Sequence, residues 1–285
     1  MGRSRNILTL ILVLFSGHFT LVHSQDMTPD EVLSKHLESI GTKEKRQGLT
    51  TLLAVGTSVF ESKMPTVKGG GKAVVVSDAA NLYYLMSLNS RDYPFEKIGM
   101  FRDKISLPFV TAGTRSLLGS FLNEHPRVLA DSLFCGSMSL RWINDVADKR
   151  KPAFRSAGKK KIEGRQTIAL DVISTTKGSD DFKVRLYFDA ETFRHVRSEY
   201  RREIKMGRIV MGQQNQLANS NLDLIEEFSD FKDANGYTLP HHYKVTFASN
   251  SNAQMHETSW SILVTSYYLN PKLADDFFTF DVKDK

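Results

Sequence analysis

Apolar and polar positions alternate with a two-residue period through much of the second half of the chain, as in strands that bury one face. In Lys183 to Phe188, Val184, Leu186 and Phe188 share one face while Lys183, Arg185 and Tyr187 share the other. Asp189 to Thr192 supplies turn formers, and from Arg194 to Ile204 the pattern resumes with Val196, Tyr200 and Ile204 on one side. The two segments read as an antiparallel hairpin. A further strand is predicted over Leu222 to Phe231, and Asp233-Ala234-Asn235-Gly236 then turns the chain. Tyr237, Leu239, Tyr243, Val245 and Phe247 form the apolar face of the next strand, and Trp260, Ile262 and Val264 that of the last, within His256 to Tyr267. Between the strand ending at Ile204 and the one starting at Leu222, Lys205 to Ser220 is polar and rich in Gln and Asn, which suits a long connection.

The first half begins differently. Thr28-Pro29-Asp30-Glu31 combines an N-cap, a proline at the first helical position and acids in the first turn, and Val32, Leu33, Leu37 and Ile40 follow before Gly41. That is an amphipathic helix with both ends marked. From Leu49 the pattern changes to strand alternation, with Leu49, Leu53, Val55 and Val59 placed on one face. Met64 to Gly71 reads as a loop carrying Pro65 and three glycines, followed by strands at Ala73 to Val76 and Leu82 to Leu88 around an Asp78 to Asn81 turn. Leu82 to Leu88 is apolar on both sides, so a second layer or a ligand must cover its other face. Strands are predicted again at Phe95 to Arg102 and Ile105 to Val110. Then comes the one helical interruption: a helix capped by Thr114 and bearing Leu117, Leu118, Phe121 and Leu122, and another opened by Pro126 and stopped by Gly136. Leu140, Trp142, Ile143 and Val146 form either a third short helix or a packed loop. Strands resume at Phe154, where Lys159-Lys160-Lys161 marks a solvated sheet edge. Ile168, Leu170 and Val172 alternate in the strand after it.

With 285 residues, 41% hydrophobic and 25% charged, and no Pro, Gly or Ser-rich linker, the chain fits a single globular domain. Arg3 and Arg5 ahead of the apolar run Ile7 to Phe15, with Val22-His23-Ser24 beyond it, predict a secretory signal over residues 1 to 24 and a domain over 25 to 285. The apolar run is too short for an ordinary membrane-spanning helix, so an exported, soluble protein without stable membrane insertion is expected. The formal charge of +6 falls to +4 without Arg3 and Arg5, which is no nucleic-acid footprint. The single cysteine, Cys135, forbids an internal disulfide and reads as a small buried hydrophobe rather than a nucleophile.

Candidate chemistry is sparse. Neither a Gly-x-Ser-x-Gly nucleophile elbow nor a His-Glu-x-x-His zinc signature occurs. Gly69-Gly70-Gly71-Lys72 lacks the spacing and the helix of a phosphate loop. His241 and His242, adjacent on a strand, point to opposite faces and cannot share one ion. His195 reads as a surface residue, and Asp180-Asp181 as a turn rather than a calcium loop. No enzyme and no cofactor are expected.

Val184-Arg185-Leu186-Tyr187-Phe188-Asp189-Ala190-Glu191-Thr192, the return strand Val196-Arg197-Ser198-Glu199-Tyr200, and Phe228-Ser229-Asp230-Phe231 with Asn235-Gly236 and Leu239-Pro240 resemble the hairpins of the LolA and LolB superfamily of periplasmic lipoprotein carriers. His36-Leu37-Glu38-Ser39-Ile40-Gly41 is similar to the first-helix end of related exported proteins. The resemblance is concentrated in residues 165 to 250; elsewhere it lies in the order of elements. It implies a mainly β fold with α: a curved, incompletely closed antiparallel half-barrel with an N-terminal helix and a central helical lid. It also implies a periplasmic location, acyl chains of a lipid or lipoprotein as cargo, and an apolar cavity, for which Val55, Tyr84, Met86, Leu117, Leu118, Phe121, Leu122, Tyr243 and Trp260 are the candidate lining residues. A half-barrel that holds an envelope protein partner is the alternative. A hydrolase is the third reading, and a closed core filled by the same side chains would leave no cavity.

Overall fold

The computed structural model describes residues 27–63, 66–102, 104–148, 152–173, 182–204, 220–251 and 254–278. The predicted signal segment, Asp180-Asp181 and nearly all of the polar connection after Lys205 lie outside these residues. Helix α1, Pro29–Ile40, starts as its sequence demands: Thr28 accepts from the Glu31 amide and the Glu31 carboxylate accepts from the Thr28 amide, a reciprocal capping box. A short helix α2, Lys43–Gln47, follows.

Twelve strands then form one antiparallel sheet. In chain order they are β1 (Thr51–Lys63), β2 (Thr66–Asp78), β3 (Leu82–Ser87), β4 (Phe95–Phe101), β5 (Lys104–Ser106), β6 (Phe154–Ile162), β7 (Arg165–Val172), β8 (Phe182–Asp189), β9 (His195–Ile204), β10 (Ser220–Ala234), β11 (Tyr237–Ser251) and β12 (Gln254–Leu269). Their spatial order is β5-β4-β3-β2-β1-β12-β11-β10-β9-β8-β7-β6. Every neighbour in this meander is adjacent in sequence except one pair. At the centre the first strand pairs the last, Leu53 opposite Tyr268 and Phe60 opposite Trp260. The sheet is not closed: its two edges are β5 and β6, the strands that flank the helical segment. Lys159, Lys160 and Lys161 lie exposed on edge strand β6, where their charge disfavours pairing with another chain.

The inner face carries the core. Val184, Leu186, Phe188, Leu239, Tyr243, Val245, Trp260 and Ile262 are buried in one continuous cluster with α1 and the helical segment, as their alternation predicts. The outer face of β3 is covered by the C-terminal tail, where the rings of Tyr83 and Phe277 meet edge-on at 5.6 Å and Phe278 is buried. That second layer accounts for a strand apolar on both sides.

Three expectations from the pattern change. Gly69, Gly70 and Gly71 belong to β2 rather than to a loop, because the strands there approach too closely for side chains. A Cβ on them would stand 2.5, 2.6 and 2.6 Å from the carbonyl oxygens of Leu88, Ser58 and Ser87. In β1 it is Leu52, Ala54 and Phe60 that face the core, so Leu53, Val55 and Val59 lie on the outer side. Four consecutive apolar residues, Leu52 to Val55, leave the phase of a strand undetermined, and Phe60 settles it. In β9, a register shift beside Phe188 puts Val196 outside with Ala169 and Tyr187 while Tyr200 stays in the core. An extra residue in one strand of a pair reverses the faces beyond it.

The central seam depends on Gly56, which sits at a register shift between β1 and β12. A Cβ there would lie 2.0 Å from the Leu263 carbonyl oxygen, a backbone atom that cannot rotate away. Gly56→Ala is expected to cost about 3 kcal/mol in urea unfolding, with faster amide exchange concentrated in β1 and β12.

Candidate functional site

Residues 107–153 leave the sheet after β5 and return at β6, and their helices pack against its inner face. Ser116, rather than Thr114, caps α3 (Leu117–Glu124): its hydroxyl accepts from the Gly119 amide at 2.7 Å. Thr114 instead closes a small turn with Thr111. Pro126 opens the single turn α4 (Arg127–Ala130), a 3-10 turn follows at Gly136–Met138, and α5 (Leu140–Ala147) completes the insert. Gly136 begins that turn rather than ending a helix. The α5 stripe of Leu140, Trp142, Ile143 and Val146 is buried against the rest of the core, so this segment is a helix.

The residues nominated for the cavity divide into two groups. Tyr84, Met86, Leu118, Phe121, Leu122, Tyr243 and Trp260 come together in the core between sheet and insert, each at most 4% exposed. Phe121 is enclosed by the rings of His125, Phe182, Tyr200 and Phe247. Leu117, at the first position of α3, is 50% exposed, and Val55 is half-buried on the outer face of β1. The inner group thus meets the insert directly, and its contacts in this conformation are protein contacts.

Polar groups join the insert to the sheet at a few points. Glu226, on the inner face of β10 between Leu224 and Phe228, accepts from the Cys135 amide at 2.8 Å. It also accepts from the hydroxyls of Tyr200 and Tyr243, each at 2.5 Å. Glu96, on the inner face of β4, accepts from the Ser116 hydroxyl at 2.9 Å and from the Tyr93 hydroxyl. Tyr93 in turn accepts from the Trp260 indole at 2.7 Å. Burial pushes both carboxyls up to about 7, against the hydrogen bonds that favour their charged forms. The Leu140 amide donates to Ser77 of β2 at 2.8 Å, and Arg141 reaches the Met100 sulfur of β4 at 2.9 Å while also donating within the insert to the Leu129 carbonyl at 2.8 Å.

At the other end of the insert lies an aromatic cluster containing two histidines. His36 of α1 donates from Nδ1 to the Phe193 carbonyl and accepts at Nε2 from the Trp142 indole, both at 3.1 Å, which fixes a neutral ring. Burial holds its pKa near 4. His195 is not on the surface: the shift in β9 turns it inward, where it is 1% exposed among Phe188, Phe228 and Trp142. Its Nε2 donates to the Arg197 carbonyl at 3.1 Å, and Nδ1 has no hydrogen-bond partner among the described residues.

Cys135 is buried, as expected, and burial raises its thiol well above the ordinary range. His241 and His242 diverge, one edge-on to Tyr267 and the other beside the Ser229 hydroxyl. Among the described residues no three His, Cys, Asp or Glu side chains are grouped to hold a metal, and no helix is long and apolar enough to cross a membrane.

Glu96, Glu226 and His36 were not singled out in the sequence pattern. Phase carries the signal for all three: Glu226 falls in the inward register of Leu224 and Phe228, Glu96 in that of Ile98 and Met100, and His36 on the buried stripe of Val32, Leu33 and Ile40. A polar residue at an apolar phase is a buried polar residue.

No family model matches the chain, and no curated protein matches it. Among solved structures, a LolA superfamily protein from Nitrosomonas europaea is 14% identical with a TM-score of 0.48, covering 90% of this chain and 99% of its own. A putative outer membrane lipoprotein-sorting protein domain from Vibrio parahaemolyticus is 12% identical with a TM-score of 0.44, covering 87% and 97%. A DUF1329 family protein from Desulfovibrio piger is 11% identical with a TM-score of 0.47, covering 87% and 95%. The chain matches LolA-superfamily and lipoprotein-sorting structures at low sequence identity.

Proposed function

We propose that this protein is an exported carrier that takes the acyl chains of a lipid or lipoprotein between the inner face of its sheet and the helical insert. One observation carries the reading: the apolar face of an open sheet is covered by a segment that takes no place in the sheet and is joined to it by a few side-chain hydrogen bonds. Displacing part of such a segment breaks no strand ladder. An acyl chain entering beneath it replaces one set of apolar contacts with another.

The available free energy is sufficient. Each buried methylene contributes about 0.8 kcal/mol, so ten contribute on the order of 8 kcal/mol before the costs of ordering the ligand and moving the insert. Tyr84, Met86, Leu118, Phe121, Leu122, Tyr243 and Trp260 would line the chain. Leu117, exposed at the start of α3, would meet it at the entrance. The alternative occupant is a polypeptide of the envelope.

Native mass spectrometry of the gently purified protein separates these readings. The expected spectrum carries an added mass that fragments to acyl lipid and disappears after detergent washing. An apo mass together with a captured polypeptide would overturn the carrier reading in favour of a protein partner.

A further inference from the structure

The insert meets the sheet through two buried carboxylates that stand at separate places. Glu96 of β4 receives the hydroxyl of Ser116, the residue that caps α3, so this contact holds the start of the insert. Glu226 of β10 receives the amide of Cys135, just before the 3-10 turn, and holds its middle. In both cases the carboxylate belongs to the sheet and the donor belongs to the insert. Both side chains are almost wholly shielded from water, Glu96 at 1% and Glu226 at 0% exposure.

Among the described residues no Lys or Arg is paired with either carboxyl. The titratable groups facing Glu226 are Tyr200 from β9, Tyr243 from β11, Tyr84 from β3 and Cys135 from the insert. Those facing Glu96 are Tyr93, which precedes β4, and Tyr84. Among the described residues the insert's other ionisable contacts in or beside the core are Arg141, Asp131 paired with Arg127, His125 stacked on Phe182, and the histidine pair, His36 hydrogen-bonded to Trp142 and His195 against Gly136. A carboxyl so enclosed is easiest to keep when neutral.

We propose that Glu96 and Glu226 are proton-controlled latches of the insert, so that lifting it from the sheet releases their protons and rising pH favours the open form. The sign follows from where each form holds its protons. In the closed form both carboxyls stay protonated up to about 7, whereas hydrated carboxyls in the open form release theirs near 4.5. Closure is therefore fully supported below the lower value and weakens as pH rises through the upper one. The histidines act in the opposite direction: buried neutral, they take up protons once hydrated below about 6.5, which favours opening at acid pH. A difference between wild type and a carboxamide variant cancels their contribution.

The single cysteine is a built-in reporter, because its backbone is one of the latched groups. Wild type, Glu226→Gln and Glu96→Gln would be labelled with 4,4′-dithiodipyridine across pH 5 to 8, each rate divided by that of the same protein unfolded at the same pH. The divided rate of wild type relative to either variant is expected to rise about tenfold per pH unit between about 5 and 7 and to level off above, as for one proton released per carboxyl. At low urea the labelling should be nearly independent of denaturant, as for a local opening. Ser116→Ala, which removes the insert's hydrogen bond to Glu96 without touching a carboxyl, should raise the rate and keep the pH dependence. It also provides the test if a carboxamide variant fails to fold. A ratio constant with pH, or labelling with the denaturant dependence of global unfolding, would overturn the latch. What passes beneath the insert rests on the carrier reading, but the latch does not. A latch that titrates in a protein that binds no lipid would refute only the carrier, while lipid binding with a flat ratio would refute only the latch.

Discussion

Trp142→Ala is expected to lower the free energy of unfolding by about 3 to 5 kcal/mol, while Leu117→Ala, on the same insert, stays within about 0.5 kcal/mol of wild type. The indole of Trp142 is fully buried, donates to His36, and meets the rings of Phe154 and His195 at 6.2 and 5.6 Å. Its removal opens a large void where α1, α5 and β9 meet, and it strips the only indole donor from a neutral imidazole. Leu117 has half its surface in water, so truncation there leaves no void. Urea unfolding followed by intrinsic fluorescence from Trp260 measures both. A small loss at Trp142 would mean that the insert is loosely seated even where its contacts are most numerous.

The second large effect is expected at Glu226. Glu226→Ala leaves the Cys135 amide and the Tyr243 hydroxyl without their acceptor in a site closed to water, while the Tyr200 hydroxyl keeps only the Leu133 carbonyl at 3.1 Å. An unsatisfied buried donor costs about 1 to 3 kcal/mol, so the variant should lose about 3 kcal/mol or more. Glu226→Gln retains an acceptor and nearly the same volume, and should lose about 1 kcal/mol near pH 5. Because burial raises the native carboxyl to about 7, its stabilising contribution is present below about 4.5 and is lost as pH rises through 7. The glutamine variant has no such loss. The wild-type advantage of about 1 kcal/mol at pH 5 should therefore vanish near pH 6 and reverse by pH 8, measured by urea unfolding at each pH. A wild-type advantage that grows over that range would show that Glu226 is charged in the native protein.

Much of the fold is legible where one rule acts alone. The capping box at Thr28 and Glu31, the Asn235-Gly236 hairpin and the inward phases of β8, β11 and β12 follow from local chemistry and period. Legibility fails where two strands interact. The glycines of β2 look like a loop until the carbonyls of Leu88, Ser58 and Ser87 are brought against them. The phase of β1 is hidden by apolar residues on both faces, and that of β9 by the register shift beside Phe188. That shift is also why His195 looks like a surface residue in the sequence and stands in the core. Inward phase was legible for the apolar positions but not for the polar ones. Alternation marks Tyr243 and Trp260 as inward, yet Glu96 and Glu226 share their phase and stand out only once each inward position is asked what it must bond to.

The claim that acyl chains enter between sheet and insert is tested most directly by photo-cross-linking. A diazirine-bearing palmitate would be bound, irradiated and mapped by peptide mass spectrometry, with unlabelled palmitate as competitor. The account predicts saturable, competed labelling of Leu118 to Leu122 on α3 and of inward residues on β3 and β11, Met86 and Tyr243 among them. Labelling confined to the outer face around Val55, Leu263 and Tyr268, or none that saturates, would contradict it.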